Sequence, residues 1–321
     1  MSVRRNARRL AVTTVASGMI AAGALALTVP AASASTISHH SSYSFRTIDN
    51  PRDLTFNQLL GLNDLGEIAG YFGSGAAGHP NQGYVIPPFS HTFVSENFPG
   101  SVQTQVTGLN NRGVTVGFWS SMNNASQVND NHGFVDVGGH FRTADFPAGS
   151  PATPPADQLL GVNDSNVAVG FYTDANGNNH GYEYDISHSR FSSVSEAGVT
   201  SLTAAAINDR GDVAGFYTNP ANGNTDGFLK TRGGQFIDLA APGAASTMAL
   251  GVSNHDEVVG VLTDAAGNMH GFTWTPRHGF TTVDDPHGPG TTTINGVNDF
   301  GQLVGFYVDG AGNTDGFLAT P

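Results

Sequence analysis

The sequence predicts an all-β fold: a six-bladed β-propeller, four strands per blade, closed by an N-terminal strand that completes the last blade (a 3 + 1 closure). Three observations predict it. One glycine-rich unit recurs six times between residues 61 and 317. Its apolar segments are short, rich in β-branched and aromatic residues and bounded by Gly, Asn and Asp, and none shows sustained helical periodicity. The sixth unit lacks its fourth segment, and a copy of that segment stands near the N-terminus.

The chain begins with a different composition. Arg4, Arg5, Arg8 and Arg9 precede an apolar run, Ala11–Val29, which ends at Ala32-Ser33-Ala34. A positive start, an apolar middle and a small-residue cleavage site read as a secretory signal over residues 1–34. The run is about membrane-spanning length, but its small residues and the Ala-Ser-Ala site favour cleavage over an anchor. Arg8-Arg9-Leu10 is a faint trace of twin-arginine export, and ordinary secretion is the better reading. Residues 35–42 form a short linker, and residues 43–321 a single domain.

The 321-residue chain holds 42 glycines and no cysteine, and only 12% of its residues are charged. Four of its 13 basic residues, and none of its 26 acidic ones, fall within residues 1–34, which leaves residues 35–321 at a formal charge of −17. Phosphate backbones need Lys and Arg, so nucleic acid is not an expected partner, and neither are anionic membrane surfaces. With no cysteine there are no disulfides, and blade stacking must supply the stability.

Gly61, Gly108, Gly161, Ala206, Gly251 and Gly296 open the units, at spacings of 47, 53, 45, 45 and 45 residues. Two positions on come Asn63, Asn110, Asn163, Asn208, Ser253 and Asn298. Seven further on come Gly70, Gly117, Gly170, Gly215, Gly260 and Gly305. That interval never varies, as a tight hairpin requires. Its turn position holds Gly66, Gly113, Asn166, Gly211, Asp256 and Gly301, the residue types that best tolerate a left-handed backbone. The repeated Asn-Asp is therefore read as turn structure rather than as a ligand set. An x-Gly-aromatic triplet, such as His132-Gly133-Phe134, marks a third strand, and a lone phenylalanine, such as Phe141 or Phe280, marks a fourth. Four short strands per roughly 45 residues is the pattern of a propeller blade. The first strand, with Ala204, Ala205, Ala206 and Ala249, is small enough to crowd the axis.

Phe45-Arg-Thr-Ile-Asp49-Asn-Pro51 matches Phe280-Thr-Thr-Val-Asp284-Asp-Pro286 position for position. It supplies the fourth strand that the sixth unit lacks, and it removes two open sheet edges.

The pattern Gly-Val-Asn-Asp-x-Gly-x-Val-Val-Gly-Phe-Tyr, followed by His-Gly-Phe, resembles the bacterial extracellular repeats called the HAF family. The resemblance covers nearly all of residues 43–321. The family's His-Ala-Phe triplet reads His-Gly-Phe or His-Gly-Tyr here, at His132, His180 and His270. It implies a secreted, propeller-like repeat protein and carries no catalytic residues with it.

Copies that match are scaffold, so function is sought where they differ. The interval from the second-strand to the third-strand glycine is 13, 16, 11, 12, 11 and 11 residues; the crossing to the next unit is 10, 9, 14, 9, 9 and 10. Both kinds of loop lie on one face of the ring. The variation concentrates at Phe72–Gln82, Trp119–His132 and Pro147–Asp157. Binding residues favour loops on a rigid scaffold. The candidate ligand-binding residues are Trp119, Asp130, His132 and Asp157, with Arg52, His79 and Asp174 nearby. Trp119 stands where blades three, four and six have Tyr, and an aromatic plate beside polar side chains suits a sugar ring.

The His-Gly-aromatic histidines sit on separate blades, too far apart for one zinc ion. Asp174–Asn178, Asp264–Asn268 and Asp309–Asn313 are similar to calcium loops, but each offers one carboxylate where calcium wants several, and a glycine-bearing turn explains them better. No metal and no cofactor is expected; calcium is the weaker alternative. No Gly-x-Ser-x-Gly elbow, phosphate loop or His-Glu-x-x-His motif occurs. The favoured function is a secreted, monomeric, non-enzymatic binding propeller whose partner is an extracellular glycan or cell-surface component. The alternatives are a polysaccharide-degrading propeller enzyme, hydrolase or lyase, and a purely structural envelope protein.

Overall fold

The computed structural model describes residues 43–321 except 77, 124–128, 148 and 150. The signal and linker segments read from the sequence lie outside them. The described residues form 24 strands and no helix. They make six four-stranded antiparallel sheets, arranged as the six blades of a propeller. Blade 1 holds β2 (Asn57–Leu62), β3 (Ile68–Phe72), β4 (Gln82–Ile86) and β5 (Val94–Ser95). Blade 2 holds β6 (Gln103–Leu109), β7 (Val114–Ser120), β8 (His132–Val137) and β9 (His140–Thr143). Blade 3 holds β10 (Asp157–Val162), β11 (Val167–Thr173), β12 (Asn179–Asp185) and β13 (Arg190–Val194). Blades 4 and 5 follow in the same order from β14 (Leu202–Ile207) to β21 (Gly279–Thr282). In blade 6, β22 (Thr293–Val297), β23 (Leu303–Val308) and β24 (Thr314–Thr320) take their fourth partner from β1 (Ser44–Thr47).

The closure strand is in the expected register. Phe45 pairs with Ala319 and Thr47 with Phe317. The Phe45 ring meets the Phe317 ring edge-on at 5.5 Å, and the Asp49 carboxylate accepts the Gly316 N–H at 3.0 Å.

The first strand of each blade lines the axis, and there the opening glycine has a steric reason. A Cβ on Gly108 would sit 3.0 Å from the Gly161 Cα, and one on Gly161 3.1 Å from the Ala206 Cα. Each first strand also carries a one-residue irregularity at this point, for instance between Val106 and Gly108, which turns it along the crowded axis. The turn that follows is left-handed in every blade, including at Asn166 (φ 59°) and Asp256 (φ 64°).

The Asn-Asp pair is scaffold, as expected, and its second residue does more than shape a turn. The backbone N–H of Asp64 donates to Asn111 Oδ1, and those of Asn111, Asp164, Asp209, Asn254 and Asp299 each donate to the same position one blade on, at 2.7–2.9 Å. The last bond, from Asp299 to Asp64, closes a ring of six. The Asn111 and Asn254 amides sit between carboxylates and donate to both neighbours, Asp64 with Asp164 and Asp209 with Asp299. The hydrophobic core lies between blades. Val114, Val116 and Val135 of blade 2 pack against Leu159, Ala168 and Tyr182 of blade 3, all buried.

Candidate functional site

Turns between first and second strands lie on one face of the ring. The loops between second and third strands, and the crossings from one blade to the next, lie on the other. On that crossing face each blade repeats the same columns of residues. In blade 2, Phe98 comes from the crossing and stacks on Trp119 of β7, with ring centroids 4.6 Å apart and planes at 5°. Trp119 in turn stacks on His132 of β8 at 4.8 Å. Blade 3 repeats the arrangement: Phe146 stacks on Tyr172 at 4.8 Å, and Tyr172 on His180 at 5.0 Å. The crossing phenylalanine fills the space above blades 2 and 3; in blades 4, 5 and 6 the column holds Glu196, Ala241 and Asp285.

In blade 1 the residue in that column is Asn50. It is buried and turned to its own loop: its N–H donates to Asn57 Oδ1 at 2.7 Å, and its side-chain oxygen accepts the Arg52 N–H at 3.0 Å. A cleft of about 170 Å³ remains in the place of the ring. Phe72, Tyr84 and Phe93 give it aromatic surface, and Arg52, Gln82 and Asn97 give it polar groups. Asn97 is already braced: its oxygen accepts the Gly83 N–H at 2.9 Å, and its amide donates to Ser95 Oγ at 2.9 Å and Gln82 Oε1 at 3.2 Å. The buried Tyr84 hydroxyl has no hydrogen-bond partner, whereas its counterpart Tyr182 donates to Asp157. A buried hydroxyl left unpaired is costly unless water or a ligand meets it.

The residues singled out from the sequence fare differently. Arg52 lines this cleft. His79 does not line it and pairs with Asp53 at 3.4 Å. Burial would raise the Asp53 carboxyl, yet the Thr55 hydroxyl and N–H, with His79, hold it below the ordinary value. Trp119 is not an open plate: Phe98 covers one side of its ring and His132 stacks on it too, so a sugar has no free face to lie on. Asp130 pins its own loop, accepting from Ser120 Oγ at 2.6 Å and from Ser121 N–H at 3.0 Å. His132 bonds Asp145 at 2.7 Å, as His270 bonds Asp284 in blade 5.

Asp157 is a structural acceptor. It receives the Phe146 N–H at 2.7 Å, and Asn57, Thr104, Thr247 and Thr292 receive the matching crossing N–H in other blades. Burial pushes its carboxyl up to about 7, against the bonds from Tyr182 and Phe146. Asp174 closes its own turn with bonds from the Asn176 and Asn178 N–H groups and from His180, which together hold its carboxyl well below the usual range. Asp264 and Asp309 close theirs in the same way, which uses the oxygens a calcium ion would need. The structure thus groups Trp119, Asp130 and His132 in blade 2, Arg52 and His79 in blade 1, and leaves Asp174 apart. Residues 77, 124–128, 148 and 150 of the three variable loops lie outside the described residues.

Sequence reasoning missed Phe72, Gln82, Tyr84, Phe93 and Asn97. The column Asn50, Phe98, Phe146, Glu196, Ala241, Asp285 carried a partial signal, a change of residue type rather than of loop length, with phenylalanine in two blades only.

No protein-family model and no curated protein matches this chain. Solved structures do. AofleA from Arthrobotrys oligospora aligns with a TM-score of 0.53 at 11% identity, covering 86% of each chain. Aleuria aurantia lectin, in complex with α-methyl-L-fucoside, aligns with a TM-score of 0.50 at 10% identity, over 83% of this chain and 93% of that one. The SapL1 lectin, in complex with α-methyl fucoside, also gives 0.50 at 10%, over 79% and 89%. At these identities the likeness is one of fold.

Proposed function

We propose that this chain is a secreted carbohydrate-binding propeller, and that the blade 1 cleft holds a sugar ring against Phe72 and Phe93. Arg52, Gln82 and Asn97 would fix its hydroxyls. The observation that carries the reading is the cleft itself, aromatic surface with polar groups at a position that a ring fills in the next two blades. Blades 2 and 3 close this position with Phe98 and Phe146, whereas Asn50 leaves it open over aromatic surface and a braced polar rim. Sugars are recognised by that combination, an apolar face against an aromatic ring and hydroxyls in fixed hydrogen bonds. The two lectins of like fold, each solved with a methyl fucoside, make fucosides the first probe. Hydrolysis would need a pair of carboxylates roughly 5–9.5 Å apart across the bond; the cleft wall presents a guanidinium, amides and hydroxyls, which suit retention of the ligand better.

The test is a glycan array with the purified protein, followed by titration of the best ligand, with methyl α-L-fucoside in parallel. Binding that falls at least about tenfold in Arg52→Ala supports the site, since a charge-assisted bond to a ligand is worth roughly 1.5–3 kcal/mol. Binding that Arg52→Ala leaves unchanged places the site elsewhere. Turnover in a reducing-sugar or unsaturated-uronate assay would replace the binding reading with the enzymatic one.

A further inference from the structure

The seam between blades 6 and 1 is open on the opposite face as well. A cavity of about 740 Å³ lies there, walled by β1 and β24 on one side and by β3 and β4 on the other. Its inner wall is apolar, with Ile68, Ile86 and Leu318. Its rim carries Leu65, Phe89 and Phe300, three of the eight large hydrophobic side chains exposed among the described residues. Scattered singly they would be ordinary surface; gathered around one cavity they form a binding patch. Phe89 is fully exposed and sits at φ 56°, a backbone conformation unfavourable for a bulky residue.

One cation borders this apolar space without a partner. Arg46 stands on β1 where blade 2 has Arg142. The Arg142 guanidinium crosses to the next blade, donates to the Ile186 carbonyl at 2.8 Å and lies over the Tyr184 ring at 5.9 Å. At the seam the matching positions are Pro88 and Ile86, and Arg46 makes no side-chain hydrogen bond or ion pair among the described residues. The acidic residue in the wall, Asp64, is committed to the axial ring: it accepts the Asp299 N–H at 2.8 Å and the Asn111 amide at 3.3 Å. The cavity therefore offers an apolar trough with a free guanidinium at its edge, on a chain that is otherwise strongly acidic.

We propose that this half of the seam binds an amphipathic carboxylate of the fatty-acid class, its acyl chain along Ile68, Ile86 and Phe89 and its carboxylate on Arg46. A concave site of several hundred Å³ with an apolar inner wall and a few placed polar groups is the usual form of a small-ligand site; here Asp64 is taken up by the axial ring, and guanidinium–carboxylate pairing to Arg46 is the strong, directional contact on offer. The proposal stands apart from the sugar reading, because it uses the opposite face and neither Arg52 nor Asn50.

The test is calorimetric titration of the purified protein with laurate below its micelle concentration. Saturable one-to-one binding is expected. Arg46→Gln and Phe89→Ser should each weaken it by about tenfold or more, with unchanged melting temperatures, since both side chains are exposed. Dodecyl maltoside, with the same tail and an uncharged head, should bind far more weakly to the wild-type protein and should not respond to Arg46→Gln. The absence of laurate binding overturns the proposal, as does equal binding by Arg46→Gln. A concentration-dependent dimer that Phe89→Ser abolishes also overturns it, because a second copy of the chain would then be what covers the patch.

Discussion

At the interface of blades 1 and 2, Phe98 lies flat on Trp119 and fills the space above it; at the seam between blades 6 and 1, Asn50 occupies the same column and leaves a cleft. The two interfaces share their backbone, their axial bonds and most of their core positions. They differ where one side chain per blade either fills or vacates the gap. The seam is also where the two ends of the chain meet. Blade 6 is the one blade assembled from both ends, its β24 paired with β1, and the crossing from β1 to β2 then joins it to blade 1. Openings on both faces therefore sit next to the one blade that the two ends of the chain complete by strand pairing.

The largest expected effect breaks the seam itself. Deleting Tyr43–Pro51 removes the β1–β24 ladder and the Phe45–Phe317 contact. It should cost more than about 4–5 kcal/mol and leave a protein that aggregates in thermal scans; melting like the intact chain would refute the closure as a stabilising element.

The next effect sharpens the contrast from the filled side. Phe98→Ala removes the plug over Trp119 and should cost about 3–5 kcal/mol, as for other large aromatic deletions. Urea denaturation measures it, and a loss under 1 kcal/mol would mean that the ring fills no space that matters.

A third difference is one of charge. Glu96 is half-buried at the interface of blades 1 and 2 and Asp157 is buried at that of blades 2 and 3, and burial pushes each carboxyl up to about 7. For Glu96 the nearby Asp136 raises it further, against the Thr115 hydroxyl. A folded value above the unfolded one means that the folded state holds the proton more tightly. The stabilising contribution is then fully present below about pH 4 and is lost as pH rises through 7. These interfaces should be stronger at pH 5 than at pH 8, by roughly 1–4 kcal/mol for the buried Asp157 and by less for Glu96, which solvent screens. Asp157→Asn, which still accepts the Phe146 N–H, should flatten its share of a melting-temperature profile between pH 4 and 8. A profile unchanged by the substitution would contradict that assignment.

The smallest effect lies at the axis, where all interfaces are alike. Asn111→Asp keeps the accepting oxygen for Asp64 N–H but loses both amide bonds to Asp64 and Asp164. It should cost about 1 kcal/mol, less at high salt.

The blade count, the strand order and the borrowed first strand were legible because backbone geometry dictates residue type there. A left-handed turn at Gly113 and a crowded axis at Gly108 leave few choices, so the pattern survives in all copies. The closure was readable for a related reason, since Phe45–Pro51 must match the strand it replaces. The site was not legible in the same way. Trp119 looked available because its cover, Phe98, comes from a crossing twenty-one positions away in the sequence and reaches it only by tertiary packing. Asp157 was singled out by the long crossing it ends, and its structural role was hidden because the bond it makes is made by Thr or Asn elsewhere. Loop length drew attention to blades 1 to 3, Phe72–Gln82 among them, but not to the Asn50 column. The opening is set in blade 1, by a substitution that leaves loop length unchanged.

Asn50→Phe tests the central claim most directly. It puts into the seam the plug that Phe98 and Phe146 provide one and two blades on, while the Asn50 N–H can still bond Asn57. The substituted protein should melt at or above the wild-type temperature and lose glycan binding by at least about tenfold in titration. Glycan binding at wild-type affinity in a folded Asn50→Phe protein would contradict the account.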